Sequence, residues 1–339
     1  RDLVRSRGLG DVYKRQSFDC KEILKDVNLS VEKGEFVTFL GSSGCGKTTL
    51  LRCLIGLESV DSGSIILDGK DVTGVPAQKR GINMIFQQYC LFPTMNLYDN
   101  VSFGLRMKKV DKKEIQERVG DMLRMVNMQE HADKYPYQLS GGEQQRAALA
   151  RCLVMEPKVL LLDEPFSAID AKLRKELQIY LKEIHKKFNM TSIFVTHDQE
   201  EAMRMSDTIH LFHEGVLEQS ASPYSIYTNP KTPYVASFIG SYNLLLEEDF
   251  ERLTGVRKTV AVRPEIIQAS NEAFEKDKDY YYFEGRITKQ IPQGSIIRRS
   301  VKVDELCEIN IDQIYYNDLT EKIGDYLYMR VKKTDVVHF

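Results

Sequence analysis

The 339-residue sequence lacks the marks of several large protein classes. Its six cysteines include no Cys-x-x-Cys pair, which argues against a disulfide scaffold or a zinc site and fits a reducing compartment. No run of about 18 apolar residues is present, so no membrane-spanning helix is predicted. The first residues lack the apolar core of a secretory signal. With 47 basic and 49 acidic residues, the net charge of −2 gives no general basic field for nucleic acid or an anionic membrane.

What is present indicates a folded protein of two domains. Hydrophobic residues make up 42% and charged residues 28%, and the length exceeds what one ordinary core needs. Between residues 17 and 240, apolar strand patterns alternate with helix patterns, which is typical of an α/β domain with a mainly parallel sheet. Strands are predicted over residues 35–40, 64–67, 82–86, 159–162, 192–195, 208–212 and 216–218. Helices are predicted over residues 48–57, 111–128, 142–154 and 171–188.

The two ends of the sequence differ from this pattern. From residue 241 to residue 339, short strands separated by Gly, Pro and Asp predict a small all-β domain, a barrel or a sandwich, without a long helix. Residues 1–16 (RDLVRSRGLGDVYKRQ) have no Met and no clear period. We interpret them as a non-native or disordered leader that resembles translated sequencing-adapter read-through, with a mobile basic tail as the alternative. They are left out of the fold prediction.

A glycine-rich string between a predicted strand and a predicted helix indicates a phosphate-binding loop. GSSGCGKT fits G-x-x-x-x-G-K-[ST] in the strand–helix context that this motif requires. The glycines allow backbone N–H groups to surround a phosphate, Lys47 supplies positive charge, and the Thr48 hydroxyl is a candidate Mg²⁺ ligand. A chance glycine turn is the alternative. The predicted nucleotide-contacting residues here are Gly41, Ser42, Ser43, Gly44, Cys45, Gly46, Lys47, Thr48 and Thr49.

Two further strings complete the candidate chemistry. VLLLDE carries two carboxylates to the end of an apolar strand, where Asp163 would hold Mg²⁺ and Glu164 would act as general base toward water. LSGGEQQR places Ser140, Gly141 and Gly142 at the start of a helix. The unpaired amide N–H groups there face outward at the positive end of the helix and could bind a phosphate. Since one subunit does not need two binding sites for the same γ-phosphate, we expect this second site to bind the ATP of a neighbouring copy. An ordinary helix cap is the alternative.

In order and spacing, these strings over about residues 17–240 resemble the ABC-transporter ATPase family. The resemblance implies a P-loop cassette with a helical subdomain at about residues 88–157, and it adds further roles. Gln87 would sense the γ-phosphate and contact Mg²⁺, and His197 would hold the water and Glu164 in line. Phe18 would stack on adenine, and Asp170 would lie at a dimer seam.

The resemblance also implies partners. Two copies would pack head to tail, with ATP and Mg²⁺ between Lys47 of one copy and Ser140 and Gly142 of the other. Residues 89–101 would receive two membrane permease subunits at the cytoplasmic face of the plasma (inner) membrane, where the protein would be peripheral. An extracytoplasmic substrate-binding protein would act indirectly, and no nucleic-acid partner is expected.

Residues from about 237 onward resemble the C-terminal β domain (TOBE type, OB-like) of bacterial importer ATPases, on the strings FIGSYN and VRPE. The combination resembles the ATPase of a binding-protein-dependent importer. We favour polyamine uptake (spermidine or putrescine) on general similarity. Ferric iron, aminoethylphosphonate, sulfate or sugar import remain alternatives, as does a regulatory or non-transport soluble ABC ATPase.

Overall fold

The computed structural model describes residues 9–18, 21–86, 90–167, 169–305, 307–314 and 321–339, with side chains from residue 23 onward. The chain divides into two compact units between Pro223 and Tyr224. Within the described residues, no helix is both long and apolar enough to cross a bilayer.

The first unit is an α/β unit built on two sheets. Its strands are β1 (Leu9–Phe18), β2 (Lys21–Val31), β3 (Phe36–Gly41), β4 (Ile65–Leu67), β5 (Lys70–Asp71), β6 (Ile82–Ile85), β7 (Val159–Asp163), β8 (Thr191–Thr196), β9 (Thr208–His213) and β10 (Val216–Ala221). Its helices are α1 (Lys47–Ile55), α2 (Leu97–Met107), α3 (Lys112–Met125), α4 (Gly141–Leu153), α5 (Ala171–Phe188) and α6 (Gln199–Met205).

The larger sheet of this unit is mainly parallel, as predicted. Its strand order is β10-β9-β3-β8-β7-β6, in which only the terminal β10 pairs antiparallel. A smaller antiparallel sheet has the order β2-β1-β4-β5. In strand β7, Leu160 and Leu162 belong to one hydrophobic core and Leu161 to another. Because both faces of the sheet are covered in this way, the central strands are continuous apolar runs in the sequence.

The second unit is antiparallel. It holds α7 (Pro223–Thr228), which spans the division, α8 (Pro233–Ile239), β11 (Asn243–Leu245), α9 (Glu247–Thr254), β12 (Val260–Val262), β13 (Gln268–Ser270), β14 (Tyr280–Gln293), β15 (Ile296–Lys302), β16 (Glu308–Ile314), β17 (Tyr326–Lys332) and β18 (Val337–His338). Its sheets have the orders β11-β12-β18 and β13-β17-β14-β15-β16, and every pairing is antiparallel. The predicted second, β-rich domain is therefore confirmed.

The compact units and β1 differ from two predicted limits, which stay predictions. We placed the boundary at residue 240, but the compact units divide at Pro223 because the segment after it bonds into the β unit. Tyr227 donates its hydroxyl hydrogen to Glu265 Oε1 at 2.8 Å, and the Tyr242 hydroxyl donates to the Tyr227 carbonyl. Residues 9–16, predicted as leader, lie in β1, whose backbone pairs with β2 on one side and β4 on the other. Residues 1–8 lie outside the described residues.

The helices between β6 and β7 lie in the range predicted for the helical subdomain. Helix α3 buries Ile115, Val119, Met122 and Leu123 along one face, the stripe that the sequence predicted. Helix α2 was not predicted, although Asn96 caps it by accepting the Asp99 N–H at 2.7 Å. Its apolar Leu97, Val101 and Leu105 are buried at spacings of four residues, a helical period that the sequence prediction did not use.

Candidate nucleotide-binding site

The predicted phosphate-binding loop links β3 to α1. Gly46 caps α1 with a φ of 99°, a left-handed conformation that favours glycine, and a Cβ there would lie 2.7 Å from Leu24 Cδ2. A Cβ on Gly41 would lie 2.3 Å from the Phe212 carbonyl oxygen. The tight loop therefore requires these two glycines, and it leaves the first amides of α1 open at its positive end.

Lys47 begins α1 and is 6% exposed. Its Nζ donates to the Gly41 and Ser42 carbonyl oxygens at 2.7 Å each and lies 3.5 Å from Cys45 Sγ. The ammonium group is thus held at the loop by backbone oxygens, in the place where it can neutralise a bound phosphate. Cys45 itself is buried at 4% exposure and packs in the apolar core beneath the loop.

Two hard oxygen donors meet beside the loop. The Thr48 hydroxyl donates to Asp163 Oδ1 at 3.0 Å, and Asp163 ends strand β7 at 3% exposure. Burial raises the pKa of the Asp163 carboxyl, and the Thr48 bond opposes that rise. This donor pair fits Mg²⁺, which takes few protein ligands and completes its shell with water and phosphate oxygens. Among the described residues, no group of three or more His, Cys, Asp or Glu side chains could hold a metal.

Glu164 and His197 form a direct pair. Strands β7 and β8 are parallel neighbours, so residues following them meet at one edge of the sheet. Glu164 has a φ of 47°, and its N–H donates to the Val195 carbonyl at 3.1 Å, which turns its side chain out of the strand direction. Its Oε1 lies 3.0 Å from His197 Nδ1. The predicted base and histidine are therefore in hydrogen-bond reach of each other.

A cleft of about 750 Å³ lies over the loop, a volume typical of a small-molecule site. Its lining includes Ser43, Gly44, Gly46, Lys47, Thr48, Thr49 and Glu164, all but the last from the predicted loop. The cleft is also lined by Ile23, Lys25, Glu214 and Gly215, for which no function was predicted. Of these residues, only Glu214 and Gly215 have a recognisable pattern, a Glu-Gly turn between two predicted strands. That pattern predicts a hairpin, but it does not show which part of the fold the tip of the hairpin approaches.

The serine-glycine turn lies at the start of α4. Ser140 Oγ accepts the Glu143 N–H at 3.4 Å, and Glu143 Oε2 accepts the Ser140 N–H at 2.7 Å, which is a capping box. The bond from Ser140 lowers the pKa of the Glu143 carboxyl. Gly141, Gly142 and Ser140 do not line the cleft over Lys47. The alternative interpretation as a cap is therefore correct geometrically, and a role toward a second copy stays a prediction.

The remaining predicted site residues have different outcomes. Asp170 caps α5, where its Oδ1 accepts the Leu173 N–H at 3.0 Å. Gln87 lies outside the described residues, and so does the side chain of Phe18. Gln145 of α4 was not predicted as a site residue; it is 1% exposed and donates to the Glu164 carbonyl at 3.2 Å. That contact joins α4 to the segment after β7.

Comparisons with known proteins show the family of this chain. A family model described as "ABC transporter" matches residues 24–167. A spermidine/putrescine import ATP-binding protein PotA of Thermotoga maritima is 42% identical over 311 residues, 85% of this chain and 84% of that protein. The protein of the same name from Vibrio vulnificus strain YJ016 is 55% identical over 326 residues, 89% of this chain and 86% of that protein.

Solved structures support the same assignment. The dimeric post-hydrolysis state of the ATP-binding cassette MJ0796 bound to ADP and Pi is 30% identical, with a TM-score of 0.58, and covers 63% of this chain and 97% of that chain. The fold, the predicted resemblance and the predicted ATPase class are thereby confirmed. The chain belongs to the ABC transporter family, as one of its ATP-binding subunits.

Proposed function

We propose that this protein is the ATP-hydrolysing subunit of a polyamine importer. The contact between Glu164 Oε1 and His197 Nδ1 at 3.0 Å, beside the loop of Lys47, carries the catalytic part of the proposal. The polyamine part rests on the names of the relatives from Thermotoga maritima and Vibrio vulnificus, which are spermidine/putrescine import proteins. Spermidine and putrescine are cargo here, not ligands of the described cleft.

Hydrolysis in this proposal needs a positioned water and a neutralised triphosphate. Glu164 accepts a proton from the attacking water, and His197 holds the Glu164 carboxylate and bonds the γ-phosphate. Lys47 and the amides at the start of α1 stabilise charge on the phosphates. Thr48, Asp163 and Gln87 would hold Mg²⁺, which supplies further charge neutralisation when bound. Phe18 would stack on the adenine ring.

The second half of each site comes from another copy of the chain. Ser140, Gly141 and Gly142 present the amides of α4 to the γ-phosphate of the neighbour, with Asp170 at the seam between the copies. Because both half-sites share the charge of the γ-phosphate, its loss after hydrolysis opens the dimer. The similar MJ0796 cassette is dimeric, which supports this arrangement.

The contact with two permeases is assigned to residues 89–101, of which Tyr89 lies outside the described residues. Phe92 is 37% exposed, and its ring centroid lies 4.7 Å from that of Phe103 in a tilted arrangement. The Cζ of Arg151 lies 5.0 Å from the Phe92 ring centroid. An exposed ring in an ordered cluster suits a partner's apolar segment. The protein would then sit at the cytoplasmic face of the inner membrane, with a substrate-binding protein outside.

The decisive experiment compares wild-type protein with Glu164→Gln. We expect near-zero ATP turnover in the variant and a stable ATP-bound dimer in gel filtration, because binding is intact while the general base is lost. Turnover equal to wild type would contradict the mechanism. In a deletion strain, the wild-type gene should restore uptake of labelled spermidine, and restoration of iron or sugar uptake instead would overturn the polyamine assignment.

A further inference from the structure

A single guanidinium group joins two segments of the candidate site. Arg174 lies in the first turn of α5, and its Nη2 donates to the Ile169 carbonyl at 2.9 Å. Its Nη1 lies 3.9 Å from Glu201 Oε1 and 4.0 Å from Asp198 Oδ2. The first contact reaches the loop of residues 167–170, and the other two reach the segment that carries His197.

The residues on both sides of His197 are bonded into the same group. The Asp198 N–H donates to Thr196 Oγ1 at 3.0 Å, and the Thr196 hydroxyl donates to Glu201 Oε2 at 2.8 Å. The Glu201 N–H donates back to Asp198 Oδ1 at 3.1 Å. The imidazole of His197 is 59% exposed and turned toward Glu164. Its orientation is therefore set through the backbone on either side of it.

The charges in this group are partly removed from water. Glu201 is 8% exposed, and burial raises the pKa of its carboxyl, while the Thr196 bond and the charge of Arg174 oppose that rise. Gln178 Nε2 donates to Glu201 Oε1 at 3.2 Å. A buried carboxylate of this kind depends on its cation, because losing one partner leaves a charge without compensation.

The Nε–H group of Arg174 is a further hydrogen-bond donor near Glu164 and His197. Its Nε is buried and has no hydrogen-bond partner among the described residues. A small cavity of about 110 Å³ lies next to it, and its lining includes Glu164, Ser167 and His197. Arg174 thus bonds the Ile169 carbonyl and lines the same polar cavity as the catalytic pair.

From this geometry we propose that Arg174 is a positioning residue that couples the loop of residues 167–170 to His197. The proposal rests on the proposed function, in which that loop lies at the seam between two copies. When the partner copy fixes the loop, the Ile169 carbonyl holds Arg174, and Arg174 holds Asp198 and Glu201. The histidine then stays in line with Glu164. A lysine could not replace it, because a planar fork is needed to reach partners on both sides.

The test compares Arg174→Ala and Arg174→Lys with Arg204→Ala as matched control. Arg204 donates to Gln178 Oε1 at 3.4 Å, on the same group of side chains, and makes no described contact with the loop. We expect Arg174→Ala and Arg174→Lys to lower kcat about tenfold with little change in the KM for ATP, since only alignment of the catalytic pair is lost. Arg204→Ala should stay within about twofold of wild type.

Chemical rescue separates positioning from loss of structure. Guanidinium chloride at millimolar concentration, far below the molar range that unfolds proteins, should restore part of kcat in Arg174→Ala and none in Glu164→Gln. If Arg174→Ala fails to fold, Arg174→Gln, which keeps a donor toward Ile169, takes its place. A kcat within twofold of wild type, or a loss that guanidinium does not relieve and that Arg204→Ala shares, overturns the coupling role.

The two proposals fail in different ways. If Glu164→Gln hydrolyses ATP like wild type, the proposed function is wrong whatever Arg174 does. If Glu164→Gln is inactive and Arg174→Ala is fully active, the proposed function stands and the coupling role is wrong.

Discussion

At the residue scale, Asp163 and Glu164 are chemically similar neighbours in different surroundings. Asp163 is 3% exposed at the end of β7 and bonds Thr48, whereas Glu164 leaves the strand direction through its left-handed φ of 47° and contacts His197. The change of backbone conformation between the two residues thus directs the Asp163 carboxylate toward Thr48, as a proposed Mg²⁺ ligand, and the Glu164 carboxylate toward His197, as a proposed general base. Their different roles in the proposed function follow from that turn.

The phosphate loop should tolerate no side chain at Gly46. Gly46→Ala combines a φ of 99° with a Cβ 2.7 Å from Leu24 Cδ2, so we expect weaker ATP binding and a loss of about 1–3 kcal/mol in the free energy of unfolding. The control is Gly69→Ala, with a φ of 74° and no atom within 4 Å of the added Cβ. It should cost about 1–2 kcal/mol and leave ATP binding unchanged in a fluorescent-nucleotide titration. Equal affinity in the two variants would contradict this prediction.

His210 should make the first unit less stable in mild acid. Burial lowers its pKa to about 4, and its Nδ1 lies 2.6 Å from Ser220 Oγ. Below the ordinary histidine pKa of about 6.5, the unfolded chain binds a proton that the folded chain refuses until about pH 4, so stability falls across that window as pH falls. From pH 7 to pH 5 we expect a loss of about 2 kcal/mol from this group.

Urea unfolding at the two pH values measures this effect. His185, whose pKa burial also lowers, adds to the same slope. In His210→Gln the slope of the free energy of unfolding against pH should shrink by the contribution of that group. A slope unchanged by His210→Gln would show that the histidine is not buried in neutral form.

At the element scale, Ser140 at the start of helix α4 has two roles: it caps the helix, and it is proposed to bind the neighbour's phosphate. Ser140→Ala removes the cap, which costs about 1 kcal/mol of stability, and removes the hydroxyl proposed to bind the neighbour's phosphate. We expect ATP turnover to fall about tenfold, since a hydrogen bond to a charged group contributes roughly 1.5–3 kcal/mol. Thermal unfolding and steady-state turnover measure the two losses separately.

The matched control is the cap of α3, another amphipathic helix of the same unit. Asp111 accepts the Lys113 N–H at 2.9 Å, away from the cleft. Asp111→Ala should lose a similar stability and keep full turnover. If both variants lose turnover equally, the serine acts only as a cap.

At the scale of the whole molecule, a shared site predicts that two inactive variants complement each other. Neither Lys47→Ala nor Ser140→Ala protein should hydrolyse ATP well alone. A mixed dimer pairs Lys47 of the Ser140→Ala chain with Ser140 of the Lys47→Ala chain, which restores one complete site out of two. We expect mixing to raise turnover above the sum of the separate proteins. Mixing Lys47→Ala with Glu164→Gln chains, which leaves no complete site in the mixed dimer, provides the comparison. Strict additivity would contradict the shared site.

Elements with local signals could be predicted without any coordinates. The apolar runs of β3, β7 and β8, the full extent of α5 and the loop from Gly41 to Thr48 were predicted, because periodicity and glycine chemistry act over a few residues. The antiparallel second unit followed from short strands and turn residues. Helices α2, α6, α7, α8 and α9 were missed; they are at most 11 residues long, and short helices depend on tertiary packing for most of their stability.

Contacts between distant residues became known only from the folded chain. The hairpin tip at Glu214-Gly215 lies over the cleft, Gln145 reaches the Glu164 carbonyl, and Arg174 joins two segments of the site. The segment from Tyr224 to Gly240 belongs to the β unit because of bonds to Glu265 and Tyr242. Such contacts depend on the order and direction of strands in the sheet, and side-chain chemistry along the chain does not encode which strands become neighbours.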